Sequence, residues 1–322
     1  MLRQALSQSN VTRLGLVERV FSSSITSVAC LVFLFINTVM MLTLRWKRMF
    51  RETSRYILLF HLLLADTLLI ASSQVLYLCY TYRILLTYPQ CGVLVMLTIM
   101  TNDISPLVLV VMSLERYVAV CHPLRHAAII TVRNTGAAVL SVWILSLLQV
   151  VTLVLVLLRF PFDQLETLKM PEPCSSDRIF LLPVLHHLRT SFTASLFTLA
   201  CLLIVCSYIG VVVAARSASR SQRDKESARK AQKTLLLHLL QLGLILLSCN
   251  YSAVLGFFYS VFPILIFLRI RAFLYVWFLF LPRCMASLIY GLRDRSIRVV
   301  LTSNLCRVRL EKTFRSNGNQ CF

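Results

Sequence analysis

Met112-Ser113-Leu114-Glu115-Arg116-Tyr117-Val118-Ala119-Val120-Cys121-His122-Pro123-Leu124-Arg125 closes a long apolar run that begins at Cys91. Within that run Asp103 is the one charge before Glu115. As a helix, residues 91–120 would rise about 45 Å, more than the roughly 30 Å of a bilayer core. The run therefore reads as a membrane span. Its inner end carries an acid and a base side by side, followed by a His-Pro step that stops the helix.

Six more spans read outward from this one by length and scarcity of charge: residues 25–44, 56–80, 135–158, 190–215, 234–258 and 272–292. The chain of 322 residues is 58% hydrophobic and only 14% charged, with a mean hydropathy of +0.77. A soluble domain carries about 25% charged residues. The apolar runs are too continuous for the alternation of a β-barrel. The reading is an all-α membrane protein, a seven-transmembrane helix bundle. A short apolar run at 261–268, interrupted by Pro263, reads as outer loop at the interface.

The net charge of +20 does not point to nucleic acid, because the basic residues lie between the spans. They set topology instead. Segments 45–55, 116–133, 216–233 and 293–315 hold twenty-two of the 33 Lys and Arg. Ten lie on the opposite side, and Arg283 lies inside the seventh span. The N-terminus is expected outside and the C-terminus in the cytoplasm. Residues 1–24 form the outer segment, 25–292 the bundle and 293–322 the tail. No cleavable signal peptide is expected, since residues 1–24 contain no apolar core of the needed length. Asn10-Val11-Thr12 is a glycosylation sequon on the outer side. In the tail, Ile297, Val300 and Leu301 between arginines fit a short amphipathic eighth helix, and Cys306 after it is a palmitoylation candidate.

Of eleven cysteines, most fall inside spans as small apolar residues. Cys91 opens the third span at the outer surface, and Cys174 lies alone in the long fourth outer connection. An oxidising exterior favours a Cys91–Cys174 bridge, with Cys79 as competitor. Asp66 lies mid-span, where a charge is costly and is expected to face the interior. The polar run Thr101, Asn102, Asp103, Ser105 also lines the interior, touching a ligand or bonding to neighbouring helices. No H-E-x-x-H, G-x-S-x-G or phosphate loop is present, which argues against an enzyme. No internal repeat suggests a transporter. His186 and His187 read as a solvated pair, so no metal site is expected there.

The stretch 112–125 resembles the end of the third helix in rhodopsin-type G-protein-coupled receptors. More narrowly it is similar to the M-A-Y-D-R-Y-V-A-I-C-x-P-L-R-Y pattern of vertebrate odorant receptors. Leu62 to Asp66, Asn37, Trp143, Ser207-Tyr208-Ile209, Lys230 to Thr234 with His238, and Leu288 to Asp294 match motifs of the same family. There are departures. Ala286-Ser287 replaces the seventh-helix Asn-Pro, Ala200 stands where the fifth span has proline, and the outer loop has one cysteine. The pattern looks most like the divergent odorant-receptor-like group of fish.

The resemblance implies a receptor without cofactor, whose partners are a small-molecule odorant, a heterotrimeric G protein that raises cyclic AMP, and membrane lipid. The alternative is a non-olfactory receptor of the same class for a small molecule or lipid. Nothing in the sequence specifies an oligomer. By resemblance, Glu115, Arg116 and Tyr117 form the switch, Pro123 and Leu124 face the G protein, and Tyr208 and Tyr290 steady the open form. Asp66 would hold a sodium ion, with Asn37, Ser105 and Ser287 as neighbours; loss of the seventh-helix asparagine leaves a protonated or water-bonded Asp66 as an alternative. Thr98 stands where amine receptors carry an aspartate, which argues against a classical amine ligand. Thr98, Asn102, Asp103, Asn250, Tyr251 and Tyr275 are the pocket candidates.

Overall fold

The computed structural model describes residues 2–159, 169–175, 179–180, 183–217, 222–249, 257–258, 260–281 and 283–284. Among these, nine α-helices follow in order: α1 Leu2–Trp46, α2 Arg48–Arg51, α3 Ser54–Thr81, α4 Tyr88–Cys121, α5 Pro123–Ile129, α6 Val132–Leu157, α7 Pro183–Ser217, α8 Gln222–Cys249 and α9 Ile264–Tyr275. α9 runs directly into a π-helical turn, Val276–Phe280.

Two of the long helices, α4 and α6, begin at side-chain caps. At α4, Thr87 accepts from the Gln90 N–H at 3.4 Å while Gln90 Oε1 accepts from the Thr87 N–H at 3.1 Å. This reciprocal box satisfies two orphan donors, and Pro89 in the first turn removes a third. At α6, Thr131 accepts from the Asn134 N–H at 3.1 Å. Asn134 Nδ2 in turn donates to the Ile129 carbonyl at 2.8 Å and closes the end of α5.

α4 is the central helix, packed against α3, α6, α7 and α8. Its buried side chains Ile104, Val108, Leu109 and Met112 join Leu59, Leu62 and Leu63 of α3 and Ile204 of α7 in one core. The opposite faces carry exposed apolar residues such as Leu31, Leu147 and Leu202, the surface that hydrocarbon covers. Among the described residues, five helices are long and apolar enough to cross a membrane: Leu16–Trp46, Ser54–Thr81, Tyr88–Cys121, Val132–Leu157 and Pro183–Ala214. The sixth and seventh spans are described in part, as the apolar second half of α8 and as α9 with its π turn.

Three expectations change. Residues 2–24 are not separate from the first span but continue its helix. The sixth helix starts at Gln222, twelve residues before its apolar run, because charged residues such as Glu226 and Lys230 pair along its surface at 2.7 Å. Residues 264–268 belong to the seventh helix rather than to a loop. Pro263 sits at its N-cap, where a missing N–H costs nothing, so it starts the helix instead of interrupting it. The expected eighth helix, with Cys306, lies outside the described residues, as do 250–256 and 285–322. Of Asn10 the backbone alone is described.

The outer loop folds inward. Cys91 and Cys174 are bonded, with Cα atoms 5.6 Å apart, and Cys79 is a free, buried thiol. The Met170 N–H donates to the Leu86 carbonyl at 3.0 Å beside a Thr87–Lys169 bridge. Met170, Ile179 and Phe180 then pack with Tyr88, Leu153 and Leu185 into a second core under the loop.

Candidate functional site

Two groups of polar residues sit along α4, one in its middle and one at its inner end. Asn102 and Ser105 are three residues apart and share a face of the helix. Asp66 of α3, fully buried, meets that face and accepts from Ser105 Oγ at 2.7 Å. Arg283, just beyond the π turn of the seventh span, is also fully buried. Its Nη1 lies 3.4 Å from Asp66 Oδ1, and its Nη2 donates to Asn102 Oδ1 at 2.5 Å. Three helices are thus joined by one guanidinium. Pro106, four residues on, lies inside α4 and has no N–H to give the Asn102 backbone carbonyl.

The structure brings Asp66 and Ser105 together and adds Arg283, which the sequence reading did not name as a site residue. The signal was present: one base lay inside a span, and such a charge needs an opposite partner at membrane depth. A sodium ion does not fit this arrangement. The guanidinium already supplies the positive charge beside Asp66 and would repel a second cation there. Asn37 of α1 is fully buried, and Ser287 lies outside the described residues.

One residue on from Asn102, Asp103 turns by about 100° to another side of α4. It is 1% exposed, and Oδ1 is 3.5 Å from Asn102 Nδ2, while Oδ2 has no partner. Gln149 of α6, also buried, stands close enough to act on the Asp103 carboxylate, although neither of its amide atoms has a hydrogen-bond partner within 3.5 Å among the described residues. Arg189 at the outer end of α7 and Arg283 are the cations acting on Asp103. Arg189 itself lies over the Phe180 ring at 5.7 Å. Thr98 donates to the Leu94 carbonyl at 2.8 Å and sits 3.1 Å from Ser72 Oγ, so it ties α4 to α3. Tyr275 stacks on Tyr77 with ring centroids 4.5 Å apart. Asn250 and Tyr251 lie outside the described residues.

At the inner end, Glu115 Oε2 and Arg116 Nε are 3.1 Å apart and both side chains are largely buried. Two residues earlier, buried Ser113 Oγ lies 3.2 Å from Nδ1 of buried His238 on α8. Tyr117 packs against Gly210 of α7 so closely that a Cβ there would stand 2.4 Å from its ring. Tyr208 joins the same apolar cluster with Val211 and Leu235. The third, fifth and sixth helices are therefore latched together within two turns of Arg116. Pro123 starts α5, and Leu124 beside it is 98% exposed. Tyr290 lies outside the described residues.

Residues 36–290 match the family described as 7 transmembrane receptor (rhodopsin family). The chain is similar to odorant receptor 131-2 of Danio rerio, with 32% identity over 82% of this chain and 79% of that protein. Human olfactory receptor 7A17 is 28% identical over 53% of this chain and 57% of its own length. Somatostatin receptor type 1 of Rattus norvegicus is 33% identical over 46% of this chain and 38% of its own.

Proposed function

The chain belongs to the rhodopsin family of seven-transmembrane receptors, and we propose that it is an odorant receptor that binds a small molecule between its helices and activates a heterotrimeric G protein. It is a multi-pass plasma membrane protein and not an enzyme. The observation that carries the reading is that α4 holds both ends of such a device. Buried polar groups lie at its middle, and the Glu115–Arg116 pair lies at its inner end.

Glu115 neutralises Arg116 in the resting state, when an unpaired cation at that depth would be costly. The Ser113–His238 contact and the Tyr117–Gly210 packing hold the inner ends of α4, α7 and α8 together. A ligand that favours a rearranged bundle shifts the population toward a form with Arg116 released and a cleft open for the G protein. Leu124, standing out from α5, meets the G protein there with Pro123. Tyr208 and Tyr290 steady the open form. The N-terminus lies outside, where Asn10 is glycosylated. The basic loop after α7 and the tail with Cys306 lie against the anionic inner leaflet, attracted by about 1 kcal/mol per basic residue.

The test is cyclic AMP in cells displaying the protein, challenged with pooled odorants, beside Arg116→Ala at equal surface level. The expected result is a response that disappears in the variant. A response of the same size in Arg116→Ala would overturn the switch, and silence toward every pool would overturn the odorant reading.

A further inference from the structure

The guanidinium of Arg283 is committed to Asp66 and Asn102, which leaves the second interior carboxylate, Asp103, without an ion-pair partner within 4.0 Å among the described residues. We propose that Asp103 and Gln149 form the anchor for a protonated amino group, so that the ligands of this receptor are small alkyl amines. The inference rests on the receptor reading and names the ligand class for the same interior site.

Four observations support it. Asp103 is 1% exposed and Gln149 5%, so both are held inside the bundle. Among the described residues, Asp103 Oδ2 and both amide atoms of Gln149 have no hydrogen-bond partner within 3.5 Å, although Gln149 stands close enough to act on the Asp103 carboxylate and buried polar groups in proteins are almost always satisfied. An ammonium brings three N–H donors, and Asp103 Oδ2 with Gln149 Oε1 offers two of the acceptors it needs. The third observation is charge. Asp66 has its cation in Arg283 at 3.4 Å, whereas Arg189 and Arg283 act on Asp103 at longer range, with no ion pair to it within 4.0 Å among the described residues.

The fourth observation is that the side chains outward of this pair are apolar. Asp103 lies twelve residues past Cys91, about 18 Å below the outer disulfide by helical rise. One turn outward on α4 is Ile99, and one turn outward on α6 is Leu153. Both are buried, and both belong to the core under the outer loop. An alkyl chain whose ammonium sits on Asp103 would run up between them. An alcohol of the same length offers one donor and no charge, and it leaves the carboxylate uncompensated. The amine site is not the one used where an aspartate stands at position 98, since Thr98 is engaged with Leu94 and Ser72.

The experiment compares hexylamine with 1-hexanol in two readouts, cyclic AMP in displaying cells and heat stability of the purified full chain. Hexylamine should act at concentrations at least tenfold lower than 1-hexanol in both. Asp103→Asn keeps the shape and should remove that preference, with surface level checked to confirm folding; Gln149→Leu should weaken hexylamine about tenfold. Stabilisation by hexylamine without cyclic AMP would support the amine site while counting against the signalling reading. Signals from uncharged odorants with hexylamine silent, or an amine preference unchanged in Asp103→Asn, would overturn the site and leave the receptor standing. Failure of hexylamine to stabilise the purified chain would overturn it as well.

Discussion

Arg283 carries a positive charge at membrane depth with no exposure at all, and so does its partner Asp66 with a negative one. Such a pair adds little net stability over an apolar pair of the same size, because both ions lost their water. Breaking it is another matter, since a lone buried charge remains. Arg283→Met and Asp66→Asn should each lower stability by about 3–5 kcal/mol, whereas the double variant should return most of that loss. Heat unfolding of the chain in nanodiscs checks this, with surface level as a second readout. If the two losses simply add, the residues do not act as a unit. At this scale a charge interrupting an apolar run made Asp66, Asp103, Glu115 and Arg116 stand out, whereas Arg283, which interrupts the seventh span in the same way, was given no partner. Gln149 did not, because a neutral amide in a span is cheap and its meaning depends on how α6 is rotated toward α4. Gly210 also stayed hidden, since its role exists only through the Tyr117 ring laid against it.

Helix starts were written in the chain as caps, whereas the phase of the seventh helix was not. Buried residues there follow Ala272 and Tyr275, then skip to Phe280, and resume at Arg283 and Cys284. The step of five from Tyr275 to Phe280 coincides with the π turn Val276–Phe280. A π turn accommodates one extra residue. Without it, the residues beyond would be rotated by about 100°, and Arg283 would not face Asp66. Nothing in the run Val-Trp-Phe-Leu-Phe announces this, because all five side chains suit either geometry. A deletion experiment separates the two. Removing Trp277, which is exposed, should let the turn relax to an ordinary α-helix with both flanks still in phase. Removing Phe273, equally exposed but within the regular α9, should turn Ala272 and the residues before it away from the core. The expected outcome is surface display near the native level for the first deletion and a loss of at least several-fold for the second. Equal display would mean that the π turn does not set the phase.

At the scale of the whole molecule, the bundle is closed at its outer mouth by a loop held in three ways at once. The Cys91–Cys174 bond spans 83 residues of sequence. The Met170 N–H bonds the Leu86 carbonyl, and Met170, Ile179 and Phe180 are buried beneath. The sequence indicated the bond through compartment and position alone. The inward fold of the loop was not legible, because Met170, Ile179 and Phe180 read as ordinary apolar loop residues until Tyr88 and Leu153 are placed beside them. In a chain-entropy estimate, a covalent loop of this length stabilises by about 4–5 kcal/mol. That figure assumes a random unfolded chain. Here much of the loop consists of α4 and α6, helices that persist once inserted, so less entropy is lost on closure. Cys174→Ser should therefore cost less than the estimate, about 2–3 kcal/mol, with the buried loop residues retaining part of the closed form. Cys91→Ser should match it, and the double variant should be no worse than either single one, because both remove the same bond. Heat unfolding in nanodiscs under oxidising conditions measures all three. A double variant clearly worse than the singles would show that each sulfur also contributes through packing in the core beneath the loop. A loss equal to the full chain-entropy value would show that α4 and α6 do not persist when the loop opens.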